Sequence, residues 1–269
     1  MTAAAPPLAK PASPDLFGHP RGLSVLFATE MWERFSYYGM ASLLTLYLVK
    51  YLLLPGHVET IIGYAAVKGA MERLFGPLDA QPFAAQLIGL YTGLAYFTPV
   101  LGGYIADRYV GQRITAVIGA LLMAAGHFLM AFEAMLFVAL GFLILGIGAF
   151  KPNVSTQVGS LYAPGDPRRL RAYSIYYVGI NIGAFLAPLI AGTLGGEVGW
   201  HYGFAAAGVG MLIGTAIYIA GTRWLPPDEL HRTRVAHIAP HPFNTDERRA
   251  IVGLICVFGA TVLYILACT

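Results

Sequence analysis

Long apolar runs are the feature that most limits the fold of this chain. Runs of about 20 residues with almost no charge recur along its length, and a helix of that length, rising ~1.5 Å per residue, crosses the hydrocarbon core of a bilayer. Only 12% of the 269 residues are charged and 57% are hydrophobic, whereas a soluble domain carries about 25% charged residues. The sequence therefore predicts an all-α membrane protein and argues against a water-soluble fold.

The apolar runs predict seven spans. We place them at 23–53, 83–105, 114–132, 134–161, 173–194, 202–222 and 250–267. Lysine and arginine concentrate before span one and after spans two, four and six, and the connections on the opposite side hold few of them. Because cytoplasmic loops carry the excess of Lys and Arg, this alternation predicts a cytoplasmic amino terminus.

The spans and connections divide the chain into four predicted parts. Residues 1–22 are rich in Ala and Pro and are expected to form a disordered cytoplasmic tail, and residues 23–222 a six-helix bundle. Residues 223–249 hold several prolines and charges, which favours a cytoplasmic linker, and residues 250–269 would begin a second, truncated bundle. Residues 60–76 suit a short external amphipathic helix, because they are too short and too charged to cross.

Span one contains three charges that need an explanation. Glu30, Glu33 and Arg34 are three and four residues apart, which places them on one helix face, with Tyr37 and Tyr38 one turn further on. A charge at bilayer depth costs a few kcal/mol or more unless it is paired or faces water. With two carboxylates to one guanidinium, one acid is expected to pair while the other tends to hold a proton. The alternative is a salt bridge that only fixes helix packing.

Polar residues in the other spans suggest a lined cavity. Lys151 precedes Pro152 inside span four, and we expect the proline to break the helix there, with the lysine facing a cavity. A lysine snorkelling to headgroups is the alternative. Asn181, in span five, could line the same cavity or could bond a neighbouring helix. Tyr96, in span two, needs a partner for its hydroxyl at depth, either cavity water or another helix. His127, alone in span three, reads as an ordinary packed residue.

The connection between spans two and three is a short charged turn. Asp107, Arg108, Gly111 and Arg113 lie there, where their charges could cap and clamp helix ends during a rocking motion. The sequence presents no nucleophile with a base, no cluster with metal-ligand spacing and no phosphate-binding loop. We therefore expect a protein that is not an enzyme and binds no metal.

These residues resemble a known family. The series Glu30, Glu33, Arg34, Phe35, Tyr37, Tyr38 and Gly39 reproduces the E-x-x-E-R-F-x-Y-Y-G signature of the proton-dependent oligopeptide transporters, a branch of the major facilitator superfamily. The stretches GGYIADRYVG, KPNVSTQVGSLY and YSIYYVGINIGAF are similar to further motifs of that family. The resemblance extends over residues 22–222, the amino-terminal half of the family's fold.

The resemblance implies a function and a set of partners. It implies proton-coupled symport of di- and tripeptides by alternating access in the cell inner (plasma) membrane, with the proton as coupling ion, no cofactor and no nucleic acid. Carried over by position, proton coupling falls to Glu30, Glu33 and Arg34, and peptide binding to Arg34, Tyr37, Tyr38, Tyr96, Lys151 and Asn181. It also implies a carboxy-terminal bundle beyond Thr269 as a partner. The alternatives are a related symporter of another small anion such as nitrate, and an incomplete membrane protein acting as an assembly partner.

Overall fold

Seven α-helices make up most of residues 15–228. The protein is represented by a computed structural model that describes residues 15–228, 244–246, 248–253, 256–257 and 260. The helices are α1 (Arg21–Tyr47), α2 (Tyr64–Phe75), α3 (Ala80–Ile105), α4 (Gln112–Leu129), α5 (Leu136–Ser160), α6 (Arg168–Ala187) and α7 (Trp200–Gly221). The predicted spans one to six correspond to α1 and α3–α7. The short helix expected within residues 60–76 is confirmed as α2, since one 12-residue helix lies there.

Short irregular segments extend or join these helices. π-Helical turns follow α1 (Leu48–Leu52) and α3 (Ala106–Val110), and two more follow α6 (Pro188–Gly192 and Leu194–Val198). Single 3-10 turns lie at Val58–Thr60, Glu133–Met135 and Thr222–Trp224. The antiparallel strands β1 (Asp15–Leu16) and β2 (His19–Pro20) form a minimal hairpin before α1. Residues 15–20 of the predicted disordered tail are therefore ordered, whereas residues 1–14 lie outside the described residues.

Five segments of the described chain are long and apolar enough to cross a bilayer. They are Ala80–Val110, Gln112–Leu129, Glu133–Ser160, Arg168–Val198 and Trp200–Trp224. The first helix, α1, is not among them. It carries Glu30, Glu33 and Arg34, and its 27 residues reach about 40 Å at ~1.5 Å per residue. It packs between α6 and α7, which are both parts of candidate spanning segments.

The prediction that Pro152 breaks span four is wrong. Helix α5 runs without interruption from Leu136 to Ser160 with Pro152 inside it. A proline removes one backbone hydrogen bond, and neighbouring helices can compensate for that loss inside a membrane bundle. Lys151 therefore projects from a continuous helix.

Close helix contacts depend on glycine at a few positions. A Cβ atom added to Gly183 of α6 would lie 2.1 Å from the carbonyl oxygen of Met31 in α1. In the same way, a Cβ on Gly102 of α3 would lie 2.0 Å from the carbonyl oxygen of Gly148 in α5. Small residues let helix backbones approach closely in a membrane, where apolar burial gives little net attraction between helices. The contact at Gly183 holds the charged segment of α1 against α6.

The β1–β2 hairpin is tied to the connection between α5 and α6. The Arg168 guanidinium donates a hydrogen bond to the carbonyl oxygen of Gly18 at 3.1 Å, and the His19 Nδ1 atom lies 2.8 Å from the Tyr162 hydroxyl. Hydrogen bonds from the side chain and backbone N–H of Arg168 lower the pKa of the Asp166 carboxyl. The start of α1 is thus held beside the arginine-rich segment that opens α6.

The segment after residue 232 forms a separate compact unit. Within it, residues 245–246, 248–253, 256–257 and 260 are helical. Most of the predicted linker and most of the predicted seventh span lie outside the described residues.

Candidate functional site

Three charged side chains are buried in the middle of α1. Glu30 is 2% exposed, Glu33 is fully buried and Arg34 is 6% exposed. Helix α6 approaches Arg34 through Gly183, and helix α7 approaches the backbone of Glu33 through Gly214. The charges therefore face protein and not lipid, as intramembrane charges do at functional sites.

One guanidinium serves both carboxylates. Arg34 Nη2 donates a hydrogen bond to Glu33 Oε1 at 2.7 Å, and Arg34 Nε contacts Glu33 Oε2. The same Nε atom lies 3.2 Å from Glu30 Oε1. The ionised group of three would carry one net negative charge in a buried place, which is costly unless a proton or a further cation removes it.

Arg34 also borders a pocket with a second cation. The pocket is lined by Arg34, Tyr37, Ala95, Tyr96, Ile147 and Lys151, from α1, α3 and α5. Each cation lies over an aromatic ring, with the Arg34 Cζ atom 5.3 Å from the Tyr37 ring centre and the Lys151 Nζ atom 5.2 Å from that of Tyr96. In the described part of the chain, no ion pair includes Lys151. The pocket thus presents an unpaired ammonium beside a guanidinium shared by two acids.

Two of the six residues expected around a substrate lie away from this pocket. Tyr38 is 39% exposed and contacts Tyr37 edge to face, with ring centres 5.2 Å apart. Asn181 is exposed on α6, and its side-chain amide donates a hydrogen bond to the backbone oxygen of Tyr177 in its own helix at 2.9 Å. The pocket as it stands brings together only Arg34, Tyr37, Tyr96 and Lys151 of the predicted set.

The charged turn between α3 and α4 contains one clamp. Arg113 donates hydrogen bonds to the carbonyl oxygens of Leu225 and Pro226, just after α7. The bond from its Nε atom to the Pro226 oxygen is 2.9 Å long. The backbone N–H of Arg113 also donates to the Asp228 carboxylate at 3.0 Å. This clamp joins the start of α4 to the segment that follows α7.

The other charges of the turn make only local contacts. Asp107 accepts a hydrogen bond from the Gln112 side chain at 3.0 Å, and exposed Arg108 donates one to the Tyr104 hydroxyl at 3.0 Å. Gly111 adopts a positive φ of 97°, and a Cβ there would lie 2.7 Å from the Asp228 carboxylate. The positive φ favours glycine at this position, and a larger residue would also displace the Asp228 carboxylate.

Several polar residues that the sequence did not single out are placed at helix contacts. Glu133, between α4 and α5, accepts hydrogen bonds from Tyr51 at 2.6 Å and from Thr60 at 3.4 Å, and its Oε2 lies 3.0 Å from His57 Nδ1. Tyr176 on α6 is 5% exposed and Tyr91 on α3 is 4% exposed, and neither hydroxyl has a hydrogen-bond partner. Sequence spacing carries no signal for the contacts of Glu133, because its partners lie more than 70 residues away in the chain.

His127 is buried in α4, with 1% of its surface exposed. Neither ring nitrogen has a hydrogen-bond partner. No group of three metal-ligating side chains occurs among the residues that the structure covers.

The fold and this cluster define a class of protein. Buried charged side chains that contact one another in the middle of a helix, beside a polar pocket in a bundle of membrane-spanning helices, are characteristic of secondary transporters. Residues 113–239 match the model of the POT family.

Relatives and solved structures agree with the family match. The chain is 41% identical over 206 residues to the uncharacterized transporter YclF of Bacillus subtilis, covering 75% of this chain and 38% of that protein. It is 37% identical over 257 residues to a di-/tripeptide transporter of Lactococcus lactis, covering 92% of this chain and 47% of that protein. A crystal structure of the peptide transporter POT in complex with sulfate matches with a TM-score of 0.68 and 36% identity, covering 95% of this chain and 47% of that one.

The chain is similar to the POT-family transporters and corresponds to their amino-terminal half. It spans less than half the length of these relatives. It is a membrane protein with the six-helix amino-terminal bundle that the sequence predicted.

Proposed function

We propose that this chain supplies the amino-terminal half of a proton-coupled symporter of di- and tripeptides. The observation that carries the proposal is Arg34, which contacts Glu30 and Glu33 while also bordering the pocket that holds Lys151. A solved relative is a peptide transporter with sulfate bound, and cations in a pocket of this kind suit the carboxylate of a peptide equally well.

Competition for Arg34 couples the peptide to the proton. A peptide carboxylate that pairs with Lys151 also draws Arg34 away from its acids. A buried acid that loses its cation then favours the protonated form, because the uncompensated charge is costly. Binding of peptide and binding of a proton therefore favour each other, which is the requirement for symport.

The remaining residues of the site take supporting roles in this proposal. Tyr37, Tyr38 and Tyr96 offer aromatic surfaces that accept varied peptide side chains, and Asn181 can bond the peptide backbone after rotating out of its present hydrogen bond. Asp107, Arg108, Gly111 and Arg113 control the end of the bundle that opens and closes. The proton is the only coupling ion, and the protein performs no enzymatic reaction.

We also propose an inner-membrane location with the amino terminus in the cytoplasm. The Lys and Arg residues before α1 and after α3, α5 and α7 support this orientation. The carboxy-terminal bundle of the transporter closes the other side of the peptide site.

The substitution Glu33→Gln tests the coupling role. The chain is reconstituted with the carboxy-terminal half, and uptake of labelled dipeptide is measured with an inward proton gradient and, separately, as counterflow without one. Glu33→Gln should abolish proton-driven accumulation and leave counterflow in place, since the neutral side chain mimics the protonated acid.

Glu197→Gln is the matched control, because Glu197 is an exposed acid near the start of α7. It should retain both activities. Equal loss of driven uptake and counterflow in a well-folded Glu33→Gln protein would contradict the coupling role. Competition by nitrate but not by dipeptides would instead support the small-anion alternative.

A further inference from the structure

A buried tyrosine lies beside the first acid of the α1 cluster. Tyr176 projects from α6 with only 5% of its surface exposed, and its hydroxyl has no hydrogen-bond partner. Its neighbours include the Glu30 carboxylate of α1 and the Ser155 hydroxyl of α5. A hydroxyl at this depth normally has a partner, and Glu30 and Ser155 are the polar groups close enough to provide one.

Glu30 has one oxygen to spare. Its Oε1 atom faces Arg34 at 3.2 Å, whereas its Oε2 atom is buried without a hydrogen-bond partner. Glu33 differs, because Arg34 contacts both of its oxygens. Of the two acids, Glu30 is therefore the one that can accept a hydrogen bond from a neighbouring helix without losing its contact with Arg34.

The position of Ser155 gives the arrangement a direction. Ser155 follows Lys151 by one turn of α5, towards the end of the bundle where Arg168–Ala187 begins. Ser155 is half-buried, whereas Glu30 and Tyr176 are buried. The order Glu30, Tyr176, Ser155 thus leads from the buried cluster towards a more accessible position.

We propose that Tyr176 is a positioning residue for the proton on Glu30, bridging Glu30 to Ser155. This inference rests on the proposed function. Glu30 holds its proton while Arg34 is turned to the substrate. When Arg34 returns and the proton leaves, the Tyr176 hydroxyl donates to Oε2 of Glu30 and stabilises the carboxylate. The proton of the Glu30 carboxylic acid passes to Tyr176 Oη as the hydroxyl proton of Tyr176 moves to Ser155 Oγ. Ser155 releases its own proton to water, so that both hydroxyl groups end neutral and Glu30 ends ionised.

The charged groups around Glu30 are those already described. They are Glu33 and Arg34 on its own helix and Lys151 acting from α5. Helix α7 presents Gly214 to α1 at this level, with the Cβ position 3.2 Å from the carbonyl oxygen of Thr29. Tyr176 is the titratable group that α6 contributes.

The test is Tyr176→Phe, with Tyr47→Phe as the matched control. Tyr47 also has a buried hydroxyl without a partner, so both variants remove the same group from a similar environment. Tyr47 is a control because it lies 17 residues beyond Glu30 in α1. In proteoliposomes with both halves of the transporter, Tyr176→Phe should reduce proton-driven uptake about tenfold, as expected for loss of a hydrogen bond to a charged group. The pH midpoint of proton-driven uptake should move to higher pH in Tyr176→Phe. The Glu30 carboxylate has lost a hydrogen-bond donor, so Glu30 keeps its proton up to a higher pH. Counterflow should stay within about twofold of the parent, and Ser155→Ala should shift the pH midpoint in the same direction.

An infrared titration separates this inference from the proposed function. The carboxylic acid band of Glu30 is assigned by its disappearance in Glu30→Gln and is followed against pH in the purified 269-residue chain, without any transport. The band should persist to higher pH in Tyr176→Phe than in the parent and Tyr47→Phe proteins. Identical titrations in all three would overturn the inference, as would equal loss of driven uptake and counterflow in Tyr176→Phe. Absence of dipeptide transport in the parent, with the infrared shift present, would count against the proposed function alone.

Discussion

The two cations of the pocket are held in different ways. Arg34 is 6% exposed and contacts two carboxylates, whereas Lys151 is half-buried and its ammonium lies over the Tyr96 ring. A guanidinium binds two acids in a planar fork, while an ammonium is a compact charge on a flexible stem. Lys151 can therefore meet an incoming anion first, without giving up an ion pair.

Replacement of Lys151 by alanine should weaken peptide binding by about tenfold or more. Loss of one partner from a desolvated charge pair costs ~2–5 kcal/mol. Binding is measured by calorimetry on the complete transporter with a dipeptide and with the same dipeptide amidated at its carboxyl end. The amidated peptide should bind the parent poorly and lose little more in Lys151→Ala.

The control for this experiment is Lys50→Ala, which removes an exposed lysine in the π-helical turn after α1. It should leave both affinities unchanged. If Lys151→Ala weakens the free and the amidated peptide equally, Lys151 does not bind the carboxylate.

At the scale of helices, the site depends on how closely α6 approaches α1. A Cβ on Gly183 would lie 2.1 Å from Met31 O, 2.9 Å from Phe35 N and 3.0 Å from Arg34 Cβ. Gly141, within α5, has no atom within 4 Å of its Cβ position. Both positions gain up to about 1 kcal/mol of helix propensity from alanine, so a comparison isolates the effect of the helix contact.

Gly183→Ala should lower the thermal midpoint of the purified protein, and Gly141→Ala should not. Overpacking a close contact costs about 1–3 kcal/mol, which corresponds to several degrees for a protein of this size. Scanning fluorimetry in detergent measures both variants. An unchanged midpoint for Gly183→Ala would show that α1 and α6 separate without cost.

The clamp at Arg113 connects helices that are distant in sequence. Replacement by lysine keeps the charge but removes the forked donor that reaches Leu225 and Pro226. Backbone hydrogen exchange in residues 222–228 should become faster by about tenfold, since bonds to a charged group contribute ~1.5–3 kcal/mol. Arg108→Lys, which alters an exposed contact with Tyr104, should leave exchange there unchanged, and equal protection in both variants would contradict the clamp.

At the scale of the whole molecule, the polar face of the bundle needs a cover. Arg34 and Lys151 line one pocket with Tyr37 and Tyr96, and the described bundle supplies no further acid to that pocket to meet the amino group of a peptide. Alternating access requires a second bundle that rocks against the first around a shared site. The chain spans 47% of its di-/tripeptide transporter relative, which is consistent with one bundle of two.

Proteoliposomes that contain only these 269 residues should therefore show no proton-driven dipeptide accumulation. Uptake should return when the carboxy-terminal half is reconstituted with the chain. A second copy of the same chain would bring further cations to the peptide and no acid for its amino end. Robust accumulation by the purified chain alone would contradict both the half-transporter proposal and the need for a second bundle.

Sequence alone was sufficient for six of the seven predicted spans and for the charge cluster. Apolar length predicts a crossing helix, and five of the predicted spans were found as apolar helices by length and composition. Spacings of three and four within one helix predict that Glu30, Glu33 and Arg34 share a face, because helix geometry is local. The same locality explains the error at Pro152, where contacts with other helices decided whether α5 breaks.

Only the tertiary structure decided which groups meet across helices. Tyr176 beside Glu30, Lys151 over Tyr96, Glu133 beside Tyr51 and Arg113 on the carbonyl oxygens after α7 join positions from 55 to 146 residues apart. Such contacts depend on helix rotation and on the close approach that glycines such as Gly183 permit. The periodicity of a single helix predicts neither its rotation nor its distance from a neighbouring helix. Local spacing determined the face of α1 that carries charge, whereas helix packing determined which residues that face meets.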